Sequence, residues 1–279
     1  MSLGPMAQLE LAVNDGGMKI THVGGPTALI SLGGLAFLTD PAFDEPREYQ
    51  LPGRVMRKLT GPAVQPADLG PIDAVLLSHD QHKDNLDDSG RALLPSIPLV
   101  LSTPAAASRL DGVRGLETWE SIELPRPDGG AVTVTSLPAR HGPEGAEPIL
   151  GDVTGFLLSG TDLPTVYVSG DNASVDLVAE IVARLSAGTI PGVAARSVDV
   201  AVLFAGAART TLMDGAPLTL TSEAAAEAAR LLTPAAIVPV HTEGWSHFTE
   251  GPDHLAKTFT TANLTNRLHL PTPGTPLTF

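Results

Sequence analysis

The sequence predicts an α+β chain built as a four-layer αββα sandwich, with two mixed β-sheets packed face to face and helices outside. Three observations predict it. Short apolar runs bounded by Gly- and Pro-containing turns recur from end to end. Three longer segments between the later runs carry helical spacing. Polar clusters stand directly after five of the runs, as they would if strand ends met on one edge of a sandwich.

The first strand candidates are LELAV (9–13), MKITHV (18–23), TALISL (27–32) and LAFLTD (35–40). Gly33 and Gly34 between the last two read as a two-residue hairpin turn. DAVLLS (73–78) and PLVLS (98–102) are continuous apolar runs, the mark of strands buried on both faces. AVTVTSL (131–137), VTGFLLS (153–159), TVYVSG (165–170), VDVAVLF (198–204) and AAIVPV (235–240) complete the set.

Helices are expected over SVDLVAEIVARL (174–185), which opens on a Ser cap, TSEAAAEAARLL (221–232) and GPDHLAKTFTTANL (251–264). The stretches 41–71 and 205–220 read as long irregular loops, the usual material of lids and pocket walls. No repeat or linker divides the chain. Residues 18–279 are therefore expected to form one domain, preceded by an extension or strand over 1–17 whose opening MSLGP is set aside as a candidate tag remnant.

Composition narrows the function. The chain has 279 residues, 43% of them hydrophobic but only 4% aromatic, so its core must be built from Val, Leu, Ile and Ala. A net charge of −14, from 17 basic and 31 acidic residues, repels nucleic acid and anionic lipid surfaces. The expected partner is a small-molecule substrate, with self-association left open. No cysteine is present, which removes thiolate metal sites, thiol nucleophiles and disulfides and fits a cytoplasmic setting. Lys19 is the first basic residue, so no signal-peptide n-region is expected, and the longest nearly apolar run falls well short of the ~20 residues of a membrane span.

The polar clusters are Asp40-Pro41, the stretch HDQHKDNLD from His79, ARHG around His141, SGDN around Asp171 and PVHTEGWSH around His241. Imidazoles and carboxylates gathered from distant sequence suit hard or borderline metals such as zinc, manganese or iron.

These motifs and their order resemble the metallo-β-lactamase-fold hydrolases, in particular the L-ascorbate-6-phosphate lactonase-like and N-acylphosphatidylethanolamine phospholipase-D-like subgroup. The passages that carry the resemblance are FLTDP (37–41), GPAVQPADLGPIDAVLLSH (61–79), a histidine after a strand, then GD, then VPVH (238–241). The family motif is His-x-His-x-Asp-His, and this chain departs from it. His79 matches the first ligand from the left; HKDNLD matches the remainder from the right, with Gln81 as an extra residue and Asn85 where the last histidine should stand.

The resemblance implies a divalent metal, zinc first, and a metal-bound water that cleaves an ester, lactone, amide or phosphodiester bond. His79, His82 and His141 would hold the first ion. Asp84, Asp171 and His241 would hold or face the second, with Asp171 as a bridging candidate. Asp84 would orient or deprotonate the water, and Asp40 would orient a ligand imidazole. His79 and His82 are three apart, so both can reach one ion only if the loop turns tightly. An amide oxygen is a poorer ligand than imidazole, so one tight ion is expected and a weak or empty second position. Asn85 is read as a hydrogen-bonding neighbour of the ligands.

Other residues carry competing readings. His247 either replaces the missing histidine or donates a proton to the leaving group, and Glu243 supports the site or simply belongs to a loop packing Trp245 and Phe248. Arg54 and Arg57 in the first long loop suit capture of an anionic substrate group, against an ordinary solvated surface. His22, His254 and His269 read as structural. The rival functions are a family member that binds a small ligand without turnover and a di-iron oxidoreductase, the latter usually joined to a flavin domain for which the chain has no room.

Overall fold

In the computed structural model, residues 17–279 are described, and the expected strand at 9–13 lies outside them. The chain begins with β1 (Lys19–Gly24), β2 (Thr27–Leu32) and β3 (Leu35–Thr39), followed by β4 (Arg47–Leu51), β5 (Arg54–Lys58) and β6 (Ala74–Leu76). Then come α1 (Asp88–Leu93), β7 (Val100–Ser102), α2 (Pro104–Ala107), β8 (Val113–Gly115), β9 (Ser121–Pro125) and β10 (Ala131–Pro138). The second half runs α3 (Glu147–Leu150), β11 (Thr154–Ser159), β12 (Val166–Val168), α4 (Val175–Ala187), β13 (Val200–Phe204), α5 (Ser222–Leu232), β14 (Ala236–Val240), α6 (Pro252–Thr261) and β15 (Pro276–Thr278).

One sheet has seven strands in the order β15-β1-β2-β3-β6-β7-β8, and the other has six in the order β14-β13-β12-β11-β10-β9. Both are mixed: β3, β6, β7 and β8 run parallel, as do β12, β13 and β14, and the rest pair antiparallel. The turn at Gly33 (φ 57°) and Gly34 (φ 79°) joins β2 to β3 with positive φ at both residues, which glycine adopts without a Cβ penalty.

Alternation along the strands divides the core into layers. Ile20, Ile30, Phe37 and Leu76 of the first sheet meet Val134, Phe156, Val168 and Val202 of the second in one cluster between the sheets. The in-between residues Leu157, Tyr167, Ala201 and Leu203 turn outward onto α4, α5 and α6. On the far face of the first sheet, Leu29, Leu38, Val75 and Leu77 pack under Phe43, Leu86 and Leu94. The result is the αββα sandwich the sequence predicts.

The three expected helices form close to their expected places. Ser174 caps α4 by accepting from the Leu177 amide, and Gly188 (φ 63°) closes it. Thr221 caps α5 by accepting from the Ala224 amide, and Pro252 opens α6.

The stretch 41–71 is not wholly irregular as expected. It contains the β4–β5 hairpin, turned at Pro52-Gly53, with Tyr49 opposite Met56. These two side chains pack on Trp245 while Glu48, Gln50 and Arg57 face solvent. The hairpin is anchored at Lys58, whose buried ammonium donates to Asp87 Oδ2 at 2.8 Å and to the Ala42 carbonyl at 2.9 Å. Asp87 also accepts from the amides of Phe43, Asp44 and Gly90. No helix among the described residues is long and apolar enough to cross a membrane.

Candidate metal centre

Strands β3, β6, β10, β12 and β14 end on the same edge, and each is followed within three residues by a candidate side chain: Asp40, His79, His141, Asp171 and His241. Two of these residues leave their strands with left-handed backbone, Asp40 at φ 30° and His241 at φ 58°. Such a conformation costs a non-glycine residue ~1–3 kcal/mol and is found where the surroundings dictate a direction. Gly206 lies against the His241 turn, where a Cβ would stand 2.0 Å from the His241 carbonyl oxygen.

His79, His82 and His141 present ring nitrogens that all lie within 4.8 Å of one another. His79 Nε2 is 2.9 Å and His141 Nε2 is 3.1 Å from His82 Nδ1. The loop makes the tight turn this requires: the Asn85 and Leu86 amides both donate to the His82 carbonyl. The extra Gln81 is exposed, its side-chain amide lying over Gly151.

The outer nitrogens decide what the inner ones are. His141 Nδ1 lies 2.8 Å from the Leu218 carbonyl, which can only accept, so His141 Nε2 carries a lone pair. His79 Nδ1 lies 3.0 Å from Ser78 Oγ, and Ser78 Oγ donates to Asp40 Oδ2 at 2.7 Å. That chain places the His79 proton on Nδ1 and leaves Nε2 a lone pair as well. A proton on His82 Nδ1 could satisfy only one of the two. Burial first, then the His82 and His141 rings, hold His79 well below the ordinary imidazole range. Burial and His141 bring His82 down to about 4. Neutral lone pairs held against each other fit a cation, and nitrogens sharing one tetrahedral ion through bonds of ~2.0–2.1 Å stand roughly 3.3 Å apart.

A second group lies beside the first. Asp84, Asp171 and His241 offer ligand atoms within 4.8 Å of one another, all buried. His241 Nε2 is 3.2 Å from Asp84 Oδ2 and 3.5 Å from Asp171 Oδ1. Burial alone would lift Asp84, but His247 and His241 outweigh it and hold the carboxyl well below its usual range. Burial would depress His241, yet Asp171 and Asp84 overcome it and raise the imidazole. His141 Nε2 stands 3.7 Å from Asp171 Oδ2, so Asp171 lies between the two groups.

Asn85 Nδ2 donates to Asp171 Oδ1 at 2.9 Å and to Asp40 Oδ2 at 3.0 Å, while its Oδ1 is buried without a hydrogen-bond partner. The opposite amide orientation would set an oxygen against two carboxylates, so this one is dictated by charge. Asp40 accepts from the Ser78 amide at 2.6 Å, and burial together with the Asp171 charge pushes its carboxyl up to about 7. Asp40 thus reaches the His79 imidazole through Ser78. Ser78, immediately before the motif, was missed; its only signal was the Ser of LLSHD at a strand end.

Over this centre lies a cleft of about 200 Å³. His82, Asp84, His141 and His247 line it, with Met56, Leu150 and Leu218 as apolar wall and Arg54 beside them. His247 Nε2 is 3.0 Å from Asp84 Oδ2. Arg57 does not line the cleft; it points to solvent and pairs with Glu48. Among the described residues, Glu243 pairs with none of the ligands; it lies half-exposed with Oε1 3.9 Å from His22 Nδ1, as its side chain turns toward β1. His22 is buried with Nε2 3.0 Å from the Gly25 carbonyl, and His254 is exposed on α6.

Comparison with known proteins agrees with this architecture. The family model described as the beta-lactamase superfamily domain matches residues 36–242. A UPF0173 metal-dependent hydrolase of Pyrococcus abyssi is 25% identical over 69% of this chain and 76% of its own length. The UPF0173 protein YddR of Bacillus subtilis is 24% identical over 94% of this chain and all of its own. Among solved structures, an isothiocyanate hydrolase from Delia radicum gut bacteria superposes with a TM-score of 0.77 at 22% identity, covering 94% of this chain and 99% of its own. The matched segment runs from β3 to the residue after His241 and so contains every residue of both ligand groups: the chain belongs to the beta-lactamase superfamily and has the metallo-β-lactamase fold.

Proposed function

We propose that the protein is a metal-dependent hydrolase that uses water to cleave an ester, lactone, amide or phosphodiester bond in a small molecule. The observation that carries this is the meeting of His79 Nε2, His82 Nδ1 and His141 Nε2 at the floor of a cleft, two of them fixed as lone pairs by their outer hydrogen bonds. A divalent ion bound there supplies Lewis acidity and lowers the pKa of water toward ~7. All-nitrogen and oxygen donors without thiolate suit zinc first, then manganese or iron. The relatives named as metal-dependent hydrolases support the same reading.

Within the chain, Asp84 is the charged carboxylate that faces both the imidazoles and the cleft. As an ionised carboxylate it would orient the attacking water, while His241 and His247 hold Oδ2 in place. His247 also lines the cleft and, once its Nε2 lets go of Asp84 Oδ2, would hand a proton to the leaving group. Arg54 would bind an anionic substrate group. The small cleft and the charge of −14 favour a small-molecule substrate over nucleic acid or a membrane surface.

A second reading is favoured by Asn85: with an amide in place of an imidazole, the scaffold would bind a small ligand without turnover. Protein purified without chelator decides between them. It is assayed for metal content and against small esters, lactones, amides, phosphodiesters and an isothiocyanate, beside the His141→Ala variant. Metal-dependent hydrolysis lost in His141→Ala supports the hydrolase; a loaded protein inert to the whole panel supports the second reading.

A further inference from the structure

The hairpin β4–β5 carries four cations, and three of them are committed. Arg47 lies against Asp44 and Asp88, Arg57 against Glu48, and Lys58 against Asp87. Arg54, the fourth, lines the cleft and has no carboxylate within ion-pair distance among the described residues. Its Nε is buried without a hydrogen-bond partner. The other arginine lining the cleft, Arg209, already donates Nε to Thr249 Oγ1 and an Nη to the Gly215 carbonyl. A buried guanidinium N–H left unpaired is costly, and an anion that accepts from it removes that cost.

The charges nearby do not serve Arg54 once the centre is loaded. Asp84 and Asp171 together would balance one divalent ion, and of the two guanidiniums that then line the cleft without a carboxylate partner, Arg54 is the one with an unpaired N–H. Beside the polar Thr210, Thr211 and Ser246, the side chains of Val55, Met56, Leu150 and Leu218 add a hydrocarbon wall to the lining. The mouth continues this character. Val55 is 42% exposed, and Ile149 at 60% and Leu212 at 48% directly adjoin lining residues in the chain. Exposed apolar side chains on three segments that contribute to one cleft suit an apolar group of the ligand.

We infer that the substrates of this cleft are small amphiphilic anions, whose negative group is bound by Arg54 and whose hydrocarbon body lies along Val55, Met56, Leu150 and Leu218 and out over the rim. The inference rests on the reading that this cleft is the substrate site. It makes Arg54 the specificity-determining residue. A cavity of about 200 Å³ is below the ~300–1,000 Å³ of pockets for drug-sized ligands, so a chain beyond a few carbons has to cross the rim.

The test measures binding, not turnover. Butanoate, hexanoate, octanoate and the neutral hexanamide are titrated calorimetrically into the metal-loaded full chain. The variants Arg54→Gln and Arg54→Lys are compared with Arg57→Gln, which alters a neighbouring arginine outside the cleft. We expect hexanoate to bind about tenfold more tightly than hexanamide, the size of a charge-assisted hydrogen bond. Arg54→Gln removes that preference, Arg54→Lys keeps part of it, and Arg57→Gln keeps it whole. Affinity should rise from butanoate to octanoate. Equal binding of hexanoate and hexanamide, unchanged hexanoate binding in Arg54→Gln, or no binding of any of the acids would overturn the inference; the second result would show that the ion alone holds the carboxylate. A loaded wild type that binds the acids as expected yet hydrolyses nothing in the panel would overturn the proposed function and leave the inference standing.

Discussion

Asn85 and Asp171, 86 residues apart in the chain, are joined by a hydrogen bond of 2.9 Å from the asparagine Nδ2 to the aspartate Oδ1. The donor end of the amide therefore faces the carboxylate that lies between the two ligand groups. An N–H donor cannot ligate a cation, and the bond draws on a lone pair that Asp171 would otherwise offer. The second position is left with Asp84, His241 and a partly engaged Asp171.

The expected consequence is one tightly held divalent ion per chain in the wild type and a rise toward two in Asn85→His. Elemental analysis of both proteins after exhaustive dialysis measures it. Two tight ions in the wild type would mean that the orphaned Asn85 Oδ1 or His247 completes the second position, and would refute the expectation.

Among the described residues, Ser78 is the link between Asp40 and the His79 ring. Ser78→Ala leaves the ligand nitrogens untouched but frees the His79 tautomer and strips the Asp40 carboxyl of one donor. Loss of such an outer hydrogen bond typically lowers metal affinity by about 10–100-fold. Competition with a graded series of chelators reads this out. Affinity within twofold of wild type would show that the relay does not orient His79.

The reach of the sequence follows from the range of the interactions involved. The strand ends carrying His79, Asp171 and His241 were legible because a strand buried with parallel neighbours is a continuous apolar run, and that carrying His141 because the antiparallel β10 alternates apolar and polar residues; the polar residue after each needs no partner to be seen. The caps of α4 and α5 were legible because they act within three residues. The β4–β5 hairpin was missed although Pro52-Gly53 marks its turn. Its buried apolar side chains are Tyr49 and Met56, and what buries them is Trp245, from the far end of the chain. Glu243 was placed near the site because it sits beside a motif residue in sequence, and Arg57 because it is an arginine of the long loop 41–71. The half-exposed loop of the one and the outward strand face of the other carry them away from it. Lys58 was invisible as an anchor because a buried lysine looks like any surface lysine until Asp87 is brought beneath it.

That lysine gives a stability prediction. Lys58→Ala leaves Asp87 buried with its charge unpaired, and breaking such a pair costs ~3–5 kcal/mol. The hairpin carries Arg54, Val55 and Met56 into the cleft, so octanoate binding should fall together with stability. Denaturant unfolding of metal-free wild type and variant checks the first part and calorimetry the second. A loss below ~1 kcal/mol would mean that water reaches Asp87 once the ammonium is gone.

The pH behaviour of the metal-free protein is set by opposing groups. With cysteine absent, ordinary imidazole ligands would begin to protonate near ~6.5. In the folded chain His79 is held well below that value and His82 at about 4. Between about 4 and ~6.5 the unfolded chain therefore binds more protons at these histidines than the folded chain does. Stability rises with pH across that window and is lost as pH falls through it. Asp40 acts with the opposite sign. Its folded value of about 7 lies above the unfolded ~3.9, so its contribution is full at low pH and is lost as pH rises toward 7. Over the shared window the two partly cancel, and the wild type should show a shallow dependence. Asp40→Asn removes one side of the balance, so its stability should fall more steeply than wild type on going from pH 7 to pH 4. Denaturant midpoints of the two proteins, stripped of metal and measured at half-unit steps, give the slopes directly. Parallel slopes would show that Asp40 stays ionised when folded. A wild-type curve falling sharply near pH 6.5 would show that burial does not depress the imidazoles, and metal loading would then fail at that same pH.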